Sequence, residues 1–446
     1  NYLQVLTKMT PEFSNVIYLS EEDEEWDTYS ALIREAQEQM GLDSGDEYDD
    51  DLSELVLVEK RLLMIKIEAT RPKKLSNNKL ADFDRELTNI VSIENGEIVE
   101  GRYTKSIISG RKLFITIYLG ANATVSVKDA IMKEREFFLD TANKLPVAMG
   151  FDHKGETIKV DLFELESIIT AGMPRGGKSY SVKTVLSQAM QFASPKDVNF
   201  YFADVKGQLS DWYELRMPHV KRFEGTARGI LNLLTFITEH EGERRAKIFR
   251  DAGVINYKSY KKKYPESDMP LIFVVIDEMT TLSQELTSQE AQEYKSKLIN
   301  IVTKMPAYGV KLWGISHVIK NEIIPKTVSD SISCRMSVLG DEAHIETTTG
   351  AKPKQFQHKL TNKGDCAVKM PLVQSNVFFM HSFIIAKDDD GVSRVFDYQT
   401  ELWSKLDPDS VKTSHAYIEA QKSKQDDIMT KLNLKSEVQF DDKGMF

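Results

Sequence analysis

The chain has 446 residues, 41% of them apolar and 28% charged, the balance of an ordinary globular protein with two or three domains. No apolar run approaches the ~20 residues that span a bilayer, and two cysteines, Cys334 and Cys366, are too few for a disulfide framework and point to a reducing cytosol. The net charge of −10 does not exclude a nucleic-acid partner, because residues 1–52 hold fifteen acids against Lys8 and Arg34, a net of −13, and leave the rest of the chain at +3.

In chain order, residues 1–53 read as an acidic arm, partly helical or disordered, with the runs "EEDEEWD" and "DEYDDD" as solvated charge. "DSGDEYDDD" lacks the residue order of a calcium loop. Residues 54–144 read as a small α+β region. There "LVLVEKRLLMIKIEA" fits a strand or a short helix, "KLFITIYLG" is a strand by its β-branched and aromatic content, and "VKDAIMKEREFFLDTAN" has helical spacing. From Leu145 apolar strands alternate with amphipathic stretches. The strand candidates are Ser167–Ala171, Val198–Ala203, Leu271–Ile276, Val310–Ile315 and Arg335–Leu339, and the helical ones are Lys178–Gln191, Arg228–Phe249 and Gln289–Met305. Apolar strands divided by helices predict a parallel sheet covered on both faces, with ligands at the carboxyl ends of its strands. "SNVFFMHSFIIA" adds a strand, the domain is drawn to residue 390, and 391–446 read as a polar, helix-leaning tail.

Gly172-Met173-Pro174-Arg175-Gly176-Gly177-Lys178-Ser179 satisfies G-x-x-x-x-G-K-[ST] between a strand and a helix. Glycines let the backbone curl so that several N–H groups face one anion, and the helix N-terminus adds partial positive charge. This predicts a nucleotide site over Gly172 to Ser179 and the adjoining Tyr180, with Lys178 on the β- and γ-phosphates and the Ser179 hydroxyl on Mg2+. "PLIFVVIDEM" is an apolar strand ending in Asp277-Glu278. Asp277 is the candidate second ligand for Mg2+, and Glu278 the acid that polarises the attacking water. The pair predicts an ATPase of α/β class, a RecA-like P-loop NTPase domain with a parallel central sheet, beside the small α+β N-terminal region. ATP and Mg2+ are the implied cofactors.

Beyond these motifs, residues 145 to about 370 resemble the motor domain of the FtsK/SpoIIIE family. The lead-in "LPVAMGFDHKGETIKVDLFELESIITAGMPRGGKS" is similar to that family's, and "FADVKGQLSDWYELRMPHV" resembles its Asp-x-Lys segment. "HEGERRAKIFRDAGVINYKSY" resembles its Glu-x-Arg-Arg helix, "AYGVKLWGIS" its sensor strand, "TVSDSISCRMSV" its Ile-x-x-Arg strand and "TNKGDCAVKM" its Gly-Lys-Gly-Asp-Met hairpin.

The resemblance implies an ATP-driven translocase of double-stranded DNA that assembles as a hexameric ring with ATP at each subunit boundary. It makes Arg335 the arginine that reaches a neighbour's site, and places a pore loop at "HVIKNEIIPKTVS", where Lys320 and Lys326 suit phosphate contacts. Asp204 and Lys206 help organise the site, Asp204 being the next candidate acid after Glu278. The chain departs from the family at Gly314-Ile315-Ser316-His317-Val318, where the sensing Gln is absent and Ser316 or His317 takes its place. It also lacks the family's Arg in "MPAYGV", and its tail is too short and acidic for the orientation-reading winged helix. Coupling ATPases of Gram-positive conjugative plasmids and transposons are the nearest branch, with a relaxase or other transfer proteins as partners. The expected location is the inner face of the membrane, with an anchor upstream of Asn1. Superfamily members that drive type VII protein secretion are the alternative. "YKSYKKKY" at 257–264 suits either nucleic-acid contact or a solvated helix end.

Overall fold

The computed structural model describes residues 17–42, 53–61, 63–94, 97–98, 102–119, 125–140, 142, 144–215, 217–319, 324–352, 355–356, 358, 360–386 and 389–406. The chain divides into two compact units. One comprises Asn1–Val185, His317–Lys320 and Ser333–Lys387, and the other Leu186–Ser316, Asn321–Ile332 and Asp388–Phe446.

The first unit opens with β1 (Ile17–Leu19) and α1 (Glu24–Gln39), then β2 (Leu55–Lys60), β3 (Met64–Thr70), α2 (Leu80–Val91), the ribbon β4 (Ile93–Glu94) and β5 (Glu97–Ile98), β6 (Tyr103–Ser109) and β7 (Lys112–Tyr118). Five strands form an antiparallel sheet in the order β1-β2-β3-β7-β6. Along β7, Leu113, Ile115 and Ile117 alternate into the core, where they meet Ile33 and Ala36 of α1 and Phe83 and Leu87 of α2. The boundary drawn at residue 53 therefore cuts through one hydrophobic core. Helix α1 carries an apolar stripe under its acidic surface, and residues 17–42 are part of the sheet domain. "LVLVEKRLLMIKIEA" resolves as two strands, β2 and β3, paired with Val58 opposite Ile67. The acidic run 46–51 lies outside the described residues.

The helical stretch from Val127 breaks at Glu134 into α3 (Val127–Lys133) and α4 (Arg135–Leu139). The hairpin β8 (Pro146–Phe151) and β9 (Thr157–Asp161) and the buried strand β10 (Ser167–Gly172) lead into α5 (Lys178–Phe192).

The second unit then builds β11 (Val198–Asp204), α6 (Ser210–Glu214), β12 (Val220–Glu224), α7 (Ala227–Thr235), α8 (Gly242–Asp251), α9 (Tyr257–Lys263), β13 (Leu271–Asp277), α10 (Met279–Glu285), α11 (Ser288–Thr303), β14 (Val310–Ser316) and α12 (Lys326–Ser331). Its strands run in the order β12-β11-β13-β14, all parallel. Every residue of β13 and β14 is buried, as expected of parallel strands covered on both faces. The single helix expected over Arg228–Phe249 is interrupted by a π-helical turn at Phe236–Glu241. Just after it, the fully buried Arg245 donates to Glu241 Oε1 (2.7 Å), to Tyr308 O (2.8 Å) ahead of β14 and to Pro270 O (2.8 Å) ahead of β13. Burial works against the Glu241 charge, but the Arg244 and Arg245 guanidiniums hold its carboxyl below the usual carboxylate range.

The chain returns to the first unit with β15 (Cys334–Val338), α13 (Glu342–Thr349), β16 (Asp365–Met370) and β17 (Gln374–Ser382), and ends in the second unit with α14 (Asp389–Leu406). Strand β15 is parallel to β10, and β16, β17, β8 and β9 continue antiparallel in that order. The start of the expected tail is thus an ordered helix, whose Phe396 ring lies 4.5 Å from that of Trp212. Cys334 and Cys366 are free thiols, and burial pushes each up to about 12, which makes them inert.

A histidine pair ties the N-terminal sheet to the β8–β9 turn. His358 Nδ1 lies 2.5 Å from Tyr103 Oη and 3.0 Å from His153 Nε2, and the His153 ring stacks on Phe379 at 3.8 Å. Burial holds His153 down to about 2 and His358 to about 4, far below an exposed imidazole near 6.5. The unfolded chain therefore binds protons that the native joint refuses, and stability present above pH 6.5 drains as pH falls toward 4. We expect His358 alone to withdraw about 3 kcal/mol by pH 4. Melting temperature measured from pH 7 to pH 4 checks this, because His358→Gln should flatten the decline. An equal slope in both proteins contradicts it.

Candidate functional site

Strand β10 delivers the chain to Gly172, whose φ is +148° and whose place no side chain can take, since a Cβ there would stand 1.8 Å from Val338 O. Gly177 (φ +98°) and Arg175 (φ +62°) complete the curl of the loop. Lys178 is buried at the head of α5. Its Nζ donates to Gly172 O (2.9 Å) and Met173 O (2.9 Å) and lies 3.2 Å from His317 Nδ1. The loop therefore holds an ammonium at the centre of a ring of backbone, ahead of a helix N-terminus, which is the arrangement that cradles phosphate. Met173, Pro174 and Arg175 are exposed at its rim, and Gly176 N donates to Met173 O (3.2 Å). The Tyr180 hydroxyl is committed to Ala386 O, which ties α5 to the segment after β17.

The open end of the β16–β17 hairpin, where β16 begins and β17 ends, packs against the loop. Gly364 N donates to Gly176 O (3.2 Å), and the buried Asp365 and His381 face each other at 2.7 Å. The sequence reading assigned neither of these residues. Only the Gly-Asp of "TNKGDCAVKM" hinted at them.

In the second unit, β13 ends in Asp277 and Glu278, 3% and 4% exposed. Glu278 sits in the left-handed region (φ 57°, ψ 56°), a conformation that costs a non-glycine residue on the order of 1–3 kcal/mol and gathers at functional sites. Lys206 Nζ lies 2.9 Å from Glu278 Oε2. Asp204 is fully buried, and its carboxylate accepts from the N–H of Lys206 (2.9 Å), Gly207 (3.0 Å) and Leu209 (2.7 Å). Asp204 is thus the clamp of a turn, with both carboxylate oxygens bonded to its backbone. Ser316 closes β14 and lies 2.8 Å from the Thr280 hydroxyl of α10.

The other sequence candidates stand elsewhere. Register places Arg335 opposite Ile169, three residues before Gly172 along β10. Lys326 is exposed at the start of α12, and Lys320 lies outside the described residues. In α9, Lys261 donates to Ser267 O just beyond the helix and Lys263 to Ala252 O at the C-terminal end of α8, so half of that lysine cluster is engaged by backbone carbonyls.

A glycine-rich loop joining a buried strand to a helix, with a lysine at its centre and an acid pair at the tip of another buried strand, defines a P-loop NTPase domain of RecA-like type. Residues 130–323 match the FtsK/SpoIIIE family, so the family resemblance read from the motifs is borne out and this segment belongs to a family of ATPases. A DNA translocase FtsK of Caldanaerobacter subterraneus subsp. tengcongensis is 29% identical over 242 residues, 51% of this chain and 31% of that protein. One from Staphylococcus aureus is 27% identical over 246 residues, 50% of this chain and 29% of that protein. The chain thus spans under a third of the length of these curated relatives. Among solved structures, the monomer form of the pCW3 conjugation coupling protein TcpA with ATPgS shares the fold at a TM-score of 0.54 and 17% identity, over 84% of this chain and 100% of that one. The cytoplasmic domain of the type VII secretion ATPase EccC of Thermomonospora curvata does so at 0.52 and 19%, over 63% of this chain and 34% of that one.

Proposed function

We propose that this chain is an ATP-driven motor that moves double-stranded DNA, acting as the coupling ATPase of a conjugative element. The observation that carries it is the full P-loop, with Lys178 held inside it, in a segment whose curated relatives are DNA translocases. The fold shared with the conjugation coupling protein along its whole length supports the conjugative role.

In this reading the amides of Gly172 to Ser179 and the Lys178 ammonium bind the phosphates of ATP. Tyr180 anchors the helix that carries them. His317, already beside Lys178, registers whether a phosphate has drawn that ammonium away, and Ser316 sets the end of its strand. Glu278 orients the attacking water. Ser179 and Asp277 offer the hard oxygen donors that suit Mg2+. Among the described residues no group of three or more His, Cys, Asp or Glu could hold a metal by itself, which suits an ion that arrives with the nucleotide. When bound, Mg2+ neutralises charge on the β- and γ-phosphates. Arg335 serves a neighbouring subunit's site in a hexameric ring. Lys326, with Lys320, contacts DNA phosphates without reading sequence.

Among the described residues no helix is long and apolar enough to cross a membrane. Placement at the inner membrane face beside a relaxase, through an upstream anchor, belongs to the proposal. A protein-secretion ATPase is the second reading, favoured by the fold shared with EccC. ATP turnover with and without duplex DNA separates them. Stimulation by DNA is the expected result, and indifference to DNA transfers the argument to a protein substrate.

A further inference from the structure

The turn after β11 is built with more care than a surface turn needs. Asp204 is fully buried and receives three backbone N–H groups, and Gly207 turns the chain at φ +71°. None of those bonds uses the Lys206 side chain. That side chain leaves the turn and places its ammonium 2.9 Å from Glu278 Oε2, where the carboxylate side chain is 5% exposed and the lysine 37%. An acid that orients a water must offer that water a lone pair. An ammonium seated on that oxygen takes up acceptor capacity there and holds the carboxylate against the lysine rather than against a water. The arrangement therefore stores Glu278 rather than employing it. The lysine, being more than a third exposed, can leave at small cost.

We propose that Lys206 is the positioning residue that holds the hydrolytic acid out of action at rest, and that its release from Glu278 sets the DNA-independent rate of ATP turnover. The inference rests on the role given to Glu278 in the proposed function. Asp204 fixes the base of the lever, Lys206 is the lever, and Glu278 Oε2 is what it covers.

The test is steady-state turnover without DNA, with kcat and KM for ATP measured separately, in the full chain carrying Lys206→Met, Lys206→Gln or Lys206→Arg, beside Glu278→Gln. Lys206→Met and Lys206→Gln should raise kcat roughly three- to tenfold with KM unchanged. Lys206→Arg, which keeps a cation within reach of the carboxylate, should bring the rate back toward that of the parent. A merely structural lysine would give no such rescue. An unchanged or lowered kcat in both neutral variants overturns the proposal. So does a raised KM at constant kcat, which would put Lys206 on the nucleotide. Glu278→Gln tells the two failures apart. If it is slow while the neutral variants are no faster than the parent, only the lever falls. If it turns over like the parent, the acid assignment falls, and the lever with it.

Discussion

Glu278→Gln leaves ATP bound and slows its hydrolysis by about 10²–10⁴-fold, the range ascribed to a group that takes part in proton transfer at the reacting water. The substitution keeps the shape of a side chain that is 4% exposed and asks nothing new of a backbone already at φ 57°. It removes only the charge. Asp204, the next acid along the sheet, is held by three N–H groups of its own turn. Single-turnover hydrolysis of bound ATP is the measurement. Turnover within a few-fold of the parent would mean that Glu278 is not the acid.

The largest expected effect on stability comes from Arg245. Removing one partner of a buried ion pair costs about 3–5 kcal/mol, because it leaves the other charge in a poor solvent. Arg245→Ala strips Glu241 of its fully buried partner and also removes the bonds to Tyr308 O and Pro270 O, which align the starts of β14 and β13. Arg244 still reaches Glu241 at 2.7 Å, so the loss belongs near the lower end of that range. Trp212 and Trp313 lie buried in the same unit, and their fluorescence during urea unfolding reports it. A loss below about 1 kcal/mol would mean that the network is not cooperative.

What the sequence declared well was written in long apolar runs. Strands β10, β11, β13 and β14 are buried on both faces, so their residues read as strand whatever surrounds them. Strand β12, "VKRFE", sits at the end of its run of strands and has only its first residue buried, so it carries no such signal. Helix α1 was hidden by its charge: Ile33 and Ala36 face the core while acids crowd the rest of the surface. The π-helical turn leaves no mark on the helical period. In the site, the loop was legible because its chemistry is local. The pairing of Lys206 with Glu278, 72 residues apart, follows from β11 lying beside β13, and neither it nor that of Lys178 with His317, 139 apart, could be read from spacing.

The central claim is that Gly172–Ser179 and Glu278 turn ATP over in the service of moving DNA. Steady-state ATP hydrolysis by this chain, measured over a salt series with and without duplex DNA of unrelated sequences, tests it most directly, with Lys178→Ala as the control. The account predicts turnover that duplex DNA stimulates whatever its sequence, stimulation that fades as salt releases the phosphate contacts, and no turnover in Lys178→Ala. Hydrolysis that DNA leaves unchanged even at low salt, or that survives in Lys178→Ala, would contradict it.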